Sequence, residues 1–172
     1  MKKIITFIAC FALLTNAAAQ NFEGKFTQTK TLKVSGKQIH SQGTITYQSP
    51  DQLAMMYTEP AGDYFIIDGP YLRMDLRGVS LDVDTSGNKT VRAQRNAILY
   101  GVSGKYEDIA AEMDAECTVT SAGGKKHVVL KMRKPTPKSY SGMVLDYDKN
   151  GKLTRMVLEE FSGITTEYLL EL

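Results

Sequence analysis

The sequence contains no tryptophan, two histidines and two cysteines, Cys10 and Cys117. Cys10 falls in a leader segment, so Cys117 alone remains in the mature chain and no intramolecular disulfide can form. Its neighbours Glu116 and Thr118 supply no activating cation, so Cys117 reads as a small buried side chain on a strand. His40 and His127 form no ligand-spaced pair, and no cluster of Cys, His and carboxylates marks a metal site. No metal or cofactor is expected. Ser103-Gly104 and Ser141-Gly142 lack the nucleophile-elbow pattern. The Gly101–Gly104 stretch resembles a phosphate loop only superficially, because it follows a helix instead of a strand. Asp146 and Asp148 occupy a strand–turn edge, where solvated turn chemistry is the default. No catalytic residue emerges, and the chain does not read as an enzyme.

A lasting apolar anchor is missing too. Lys2 and Lys3 precede the apolar run Ile4–Leu14, and Ala17-Ala18-Ala19 follows as an A-x-A cleavage signal. The run is too short to span a bilayer. Residues 1–19 are therefore expected to be a cleaved signal peptide that exports the protein to the periplasm, with residues 20–172 forming a single domain. Cys10 sits within the apolar run, ahead of Phe11 to Leu14, and reads as an ordinary apolar residue instead of a lipidation site. Losing Lys2 and Lys3 from the 21 basic residues leaves 19 against 19 acidic ones. A mature chain without net charge has no single-sign field to draw nucleic acid or an anionic membrane.

What the sequence does contain is alternation. Ile164, Thr166, Tyr168, Leu170 and Leu172 share one face, with Thr165, Glu167 and Glu171 on the other. Val79, Leu81 and Val83 alternate with Ser80 and Asp82. Leu53, Met55 and Tyr57 alternate with Ala54, Met56 and Thr58, with little polarity on either face. This is the pattern of an antiparallel sheet covered on one side. Asn150-Gly151 suits a type I′ hairpin turn. Ser162-Gly163, Gly123-Gly124, Ser86-Gly87-Asn88 and Asp68-Gly69-Pro70 mark further reversals. Pro50 and Pro60 bracket the Leu53–Tyr57 strand. About nine to eleven strands result, enough for a large curled sheet or open barrel. From Thr90 to Val102 the alternation stops, which predicts a helix, and Tyr106, Ile109, Ala110 and Met113 have the spacing of a second short one. Seven methionines remain once Met1 is removed. Their flexible side chains suit ordinary core filling, and equally a surface that fits variable apolar ligands.

Several elements, in order, resemble the LolA-like family of periplasmic lipoprotein carriers. Phe22 and Phe26-Thr27-Gln28 resemble its F-x-x-x-F-x-Q opening, and Gln42-Gly43-Thr44-Ile45 its G-x-φ strand. Pro50, Leu53, Met55, Tyr57 and Glu59-Pro60 resemble its P-x-x-φ-x-W-x-φ-x-x-P block, with Met55 at the tryptophan. Ile66-Ile67-Asp68-Gly69 with Leu72, Asp148–Leu153 and Phe161–Thr165 resemble its later turns. The resemblance implies a mainly β fold: an incomplete, open antiparallel β-barrel with short helices covering the concave face. It implies an acyl-chain lining of Leu53, Met55, Tyr57, Phe65, Leu72 and Met74, and a lid of Ile98, Leu99 and Val102. The implied partners are an acylated lipoprotein or other lipid, an inner-membrane release complex and an outer-membrane acceptor, with the carrier a monomer.

Two departures mark a divergent member, whose cargo could be another acylated or polyene-like lipid. Many members begin with a long amphipathic helix, for which Phe22 leaves no room after the expected cleavage point. Ser49 also stands where the best-known carriers have an arginine. The alternative function is a lipid-sensing module that regulates a membrane partner. A lipid-acting hydrolase ranks last, for want of a nucleophile–base pair.

Overall fold

The alternating segments become eleven strands of one antiparallel sheet. They are β1 (Phe22–Leu32), β2 (Gln38–Gln48), β3 (Gln52–Glu59), β4 (Ala61–Asp68), β5 (Tyr71–Leu76), β6 (Val79–Asp84), β7 (Ala115–Ala122), β8 (Lys125–Met132), β9 (Tyr140–Tyr147), β10 (Leu153–Glu160) and β11 (Ile164–Glu171). The structure is a computed structural model that describes residues 21–172, so the expected signal peptide and Cys10 lie outside the described residues. Strands pair in the order β6-β5-β4-β3-β2-β1-β11-β10-β9-β8-β7. The sheet curls but does not close, leaving β6 and β7 as its two edges. The helical segment joins these edges: a 3₁₀ turn at Thr85–Gly87, then α1 (Lys89–Val102) and α2 (Tyr106–Met113). This is the open barrel with two short helices that the sequence implies.

Register sets which side chains face inward. Met55 lies opposite Phe65 and Ile45, Phe65 opposite Met74, and Leu53 opposite Ile67 and Tyr47. Ile45, Tyr47, Leu53, Met55, Ile67 and Leu72 are buried, as are Val128, Leu130, Met143 and Leu145 on the other wing. The intervening residues face the convex side, where Met56, Tyr71 and Leu169 are exposed.

Curling this tightly needs glycine on the inner face. A Cβ at Gly43 would overlap the Met56 carbonyl oxygen and come within 2.9 Å of the Phe26 ring. A Cβ at Gly24, one strand over, would overlap the Glu171 carbonyl oxygen. The β2–β3 register also shifts at Gln42/Gly43, as a bulge that bends one strand does.

Local turn chemistry explains the other boundaries. Asn88 caps α1 by accepting the Val91 N–H at 3.2 Å. Two turns differ from expectation. Asn150-Gly151 is not a type I′ pair, since Gly151 has φ 78° while Asn150 is not in the left-handed region. The Asp148 carboxylate accepts the Asn150 and Lys152 amides at 2.8 and 2.9 Å, so one left-handed residue suffices to reverse the chain. The two-residue turn with both φ positive that sequence reading missed is Arg77-Gly78, at 53° and 77°. Ser86-Gly87-Asn88 does not return a strand but leads into α1.

Candidate functional site

Helix α1 covers the concave face with its apolar side inward. Ala97, Ile98, Leu99 and Val102 are all buried, joined in one core with Phe26, Met55, Leu145 and Met156. Close approach depends on Gly101, whose added Cβ would meet Leu145 Cδ2 at 3.3 Å and Met156 Sδ at 3.6 Å. Tyr147 donates its hydroxyl to the Gly101 carbonyl at 2.7 Å. Burial pushes the Tyr147 phenol well up, so it stays protonated and remains a donor.

A polar chain ties the other side of α1 to the sheet. The Arg95 guanidinium donates to the Gly69 carbonyl in the β4–β5 turn. It also donates to Asn96 Oδ1, and Asn96 Nδ2 in turn donates to Glu112 of α2 at 2.8 Å. Arg95 thus links turn, α1 and α2. Hydrogen bonds to a charged group contribute about 1.5–3 kcal/mol. Arg95→Ala is therefore expected to speed hydrogen exchange at α1 amides while strand amides hold, as hydrogen-exchange mass spectrometry would show.

All six residues expected to line an acyl-chain site face the concave side, but they occupy different depths. Leu53, Met55, Tyr57 and Leu72 are buried, and Phe65 and Met74 pack partly buried against the same core. All six pack in or against one core. Of the six, only Tyr57 lines the cleft at one end of the barrel. Ile98, Leu99 and Val102 lie on α1, where a lid would be.

This cleft, of about 350 Å³, lies between the β5–β6 turn and the β1–β2 and β11 strands. Its apolar walls include Leu32, Ile39, Leu76, Val79 and Ile164, and its polar groups are Gln28, Lys30, Ser41, Tyr57, Asp63 and Arg77. Burial pushes the Tyr57 phenol up to about 12, against the opposing pull of a hydrogen bond with Tyr168. Tyr168 in turn accepts from Gln28 Nε2 at 3.4 Å. The phenol of Tyr57 therefore stays neutral at the inner end of the cleft. Apart from Tyr57, sequence reading missed this set because its members come from seven separate strands and a turn. The Ser49-Pro50 turn lies at the opposite end of the strands, where Ser49 N–H bonds Asn21 Oδ1 at 2.9 Å.

On the convex face, His127, Asp146, Arg155 and Glu167 form a charge ladder across β8 to β11. His127 Nδ1 lies 2.6 Å from Asp146 Oδ1, Arg155 donates to Asp146 at 3.0 Å, and Arg155 Nε donates to Glu167 at 2.6 Å. Burial would raise the Asp146 carboxyl, but bonds from His127 and Arg155 outweigh it and hold it below the usual range. The ladder is partly solvated, and such pairs typically contribute under about 1 kcal/mol. Among the described residues no three His, Cys, Asp or Glu side chains converge on a metal-sized space. Cys117 is half-buried on β7, its thiol pushed up by burial and by nearby Glu107.

A family model described as "Outer membrane lipoprotein carrier protein LolA" matches residues 17–171. No curated protein matches the chain. Among solved structures, a LolA superfamily protein from Nitrosomonas europaea is 12% identical with a TM-score of 0.44, the match covering 90% of this chain and 85% of that one. The lipoprotein LppX of Mycobacterium tuberculosis is 12% identical with a TM-score of 0.35, covering 87% and 84%. A MucA/MucB complex of Pseudomonas aeruginosa is 12% identical with a TM-score of 0.43, covering 86% of this chain and 50% of that one.

Proposed function

The chain belongs to the LolA family, and from that premise we propose that it is a periplasmic carrier without enzymatic activity. It binds the acyl chains of a lipoprotein or related lipid against the concave face and passes them towards the outer membrane. Residues 1–19 direct export and are removed, and the mature domain works between an inner-membrane release complex and an outer-membrane acceptor. The observation that carries this reading is an apolar concave face under a helix, with an apolar-walled cleft at one end of the barrel.

The physics of such cargo sets the requirement. Moving an acyl chain through water costs about 0.8 kcal/mol per CH₂. A chain of ~15 methylenes therefore faces roughly 12 kcal/mol unless a dry surface covers it. The cleft supplies the entrance to such a surface. Lifting α1 would extend it over Met55, Phe65 and Met74, whose pliable side chains can follow an irregular chain. Beyond the cleft the buried core is mostly apolar, so the cargo is held without being trapped.

Val79 offers a clean test, because it lines the cleft and is 62% exposed. Val79→Asp should fold normally yet bind a fluorescent acylated peptide at least about ten-fold more weakly, as a charge beside an apolar chain must be desolvated. Equal affinity in the variant would place binding elsewhere.

A further inference from the structure

The cleft is apolar along its walls but cationic at its mouth, and the geometry points to a ligand with an anionic headgroup on a single acyl chain. Its shared chemistry is a carboxylate or phosphate, from a free fatty acid or a lysophospholipid. The inference deepens the carrier reading above and rests on it.

The cations are Arg77 and Lys30. Arg77 adopts a left-handed conformation in the tight β5–β6 turn, which carries its side chain to β2. There Nη2 donates to the His40 carbonyl and to Ser41 Oγ, each at 3.2 Å. Both acceptors are neutral. Among the described residues, no other hydrogen bond uses the remaining guanidinium nitrogens, and the ion pairs involve other cations. Lys30 points to the same cleft from β1, also outside any ion pair of the described residues.

The only carboxylate in the lining, Asp63, accepts the Arg77 main-chain N–H at 3.0 Å. Two cations against one carboxylate leave the mouth net positive. A guanidinium has five donors in a planar fork that matches carboxylate or phosphate oxygens. A neutral ester or amide offers that fork a carbonyl at best. The volume argues in the same direction, because about 350 Å³ is at the small end of ligand pockets. It suits one chain better than several. The headgroup would meet Arg77 and Lys30 while the chain runs past Leu76 and Val79 towards Tyr57.

The test titrates the mature protein with palmitate, palmitoyl-lysophosphatidylglycerol and neutral methyl palmitate, all of equal chain length. At least one anionic probe should bind about ten-fold or more tightly than the neutral one. The tighter of the two identifies a carboxylate or a phosphate source. Arg77→Gln should abolish the preference, weakening the anionic probe far more than methyl palmitate, and Arg77→Lys should retain most of it. Thermal melting checks each variant's fold, and Lys30→Gln replaces Arg77→Gln should the latter unfold. Equal binding of all probes, or a preference that survives the neutral substitutions, overturns the headgroup inference and leaves the carrier reading standing. Binding of none overturns both.

Discussion

Gly43→Val will unfold the protein or leave it far less stable than wild type. Even the first side-chain carbon at this position would overlap a backbone carbonyl, that of Met56, and crowd the Phe26 ring. A flexible side chain could move aside, but a backbone carbonyl within a strand pair cannot. Relief requires β2 and β3 to separate where their register already shifts. Overpacking costs about 1–3 kcal/mol and each lost ladder bond about 1 kcal/mol. A total of roughly 3–5 kcal/mol would remove much of a typical domain's stability of about 5–15 kcal/mol. Gly87 supplies the control, since an added Cβ there meets nothing within 4 Å and its φ is not positive. Urea denaturation should show Gly87→Ala unfolding with the wild type. A Gly43→Val protein within about 1 kcal/mol of wild type would show that inner-face glycines do not set the curl.

Gly101→Phe should lift α1 while leaving most of the sheet intact. The helix lies so close to β9 and β10 that even a Cβ is in contact with Leu145 and Met156. A phenyl ring cannot fit there without displacing the helix. It would also break the buried bond from Tyr147 to the Gly101 carbonyl, at a cost of about 1–3 kcal/mol. The consequence is an exposed concave face. The variant should bind a hydrophobic dye strongly, keep a strand-dominated circular dichroism spectrum and load acyl probes faster than wild type. A variant with wild-type dye binding and loading would mean that α1 is core structure and no lid.

Sequence pattern revealed the faces of the strands far better than the depth of their residues. Alternation in Leu53–Tyr57 and Ile164–Leu172 marks the inner side, because a one-residue slip would turn every apolar group outward. The break in alternation at Thr90 identified α1 to within one residue of its start at Lys89. Depth is different, since it depends on what packs above each residue. Leu53 and Val79 both sit on the apolar face of an alternating segment, yet tertiary packing buries the first to 1% exposure and leaves the second at 62%.

The cleft was the least legible part. Arg77 lies in a turn that the sequence pattern did not mark, and its importance comes from reaching His40 and Ser41 some 36 positions earlier. No local period encodes such a meeting. Asn150-Gly151 shows the opposite error: a strong turn signature overruled by the neighbouring Asp148 carboxylate, which satisfies two amides by itself. The glycine in Gln42-Gly43-Thr44-Ile45 was legible as a family feature. Its physical reason, contact with the next strand's carbonyl, required the register.

The central claim is that the concave face and its cleft hold an acyl chain. The most direct measurement is native mass spectrometry of the mature protein, purified from its own periplasm without detergent, followed by lipid extraction. The account predicts a bound acylated species that is lost in Val79→Asp, with the domain still folded. A clean unliganded mass from protein that also rejects added fatty acids and lipopeptides would contradict it, and would favour a surface that binds a protein partner instead.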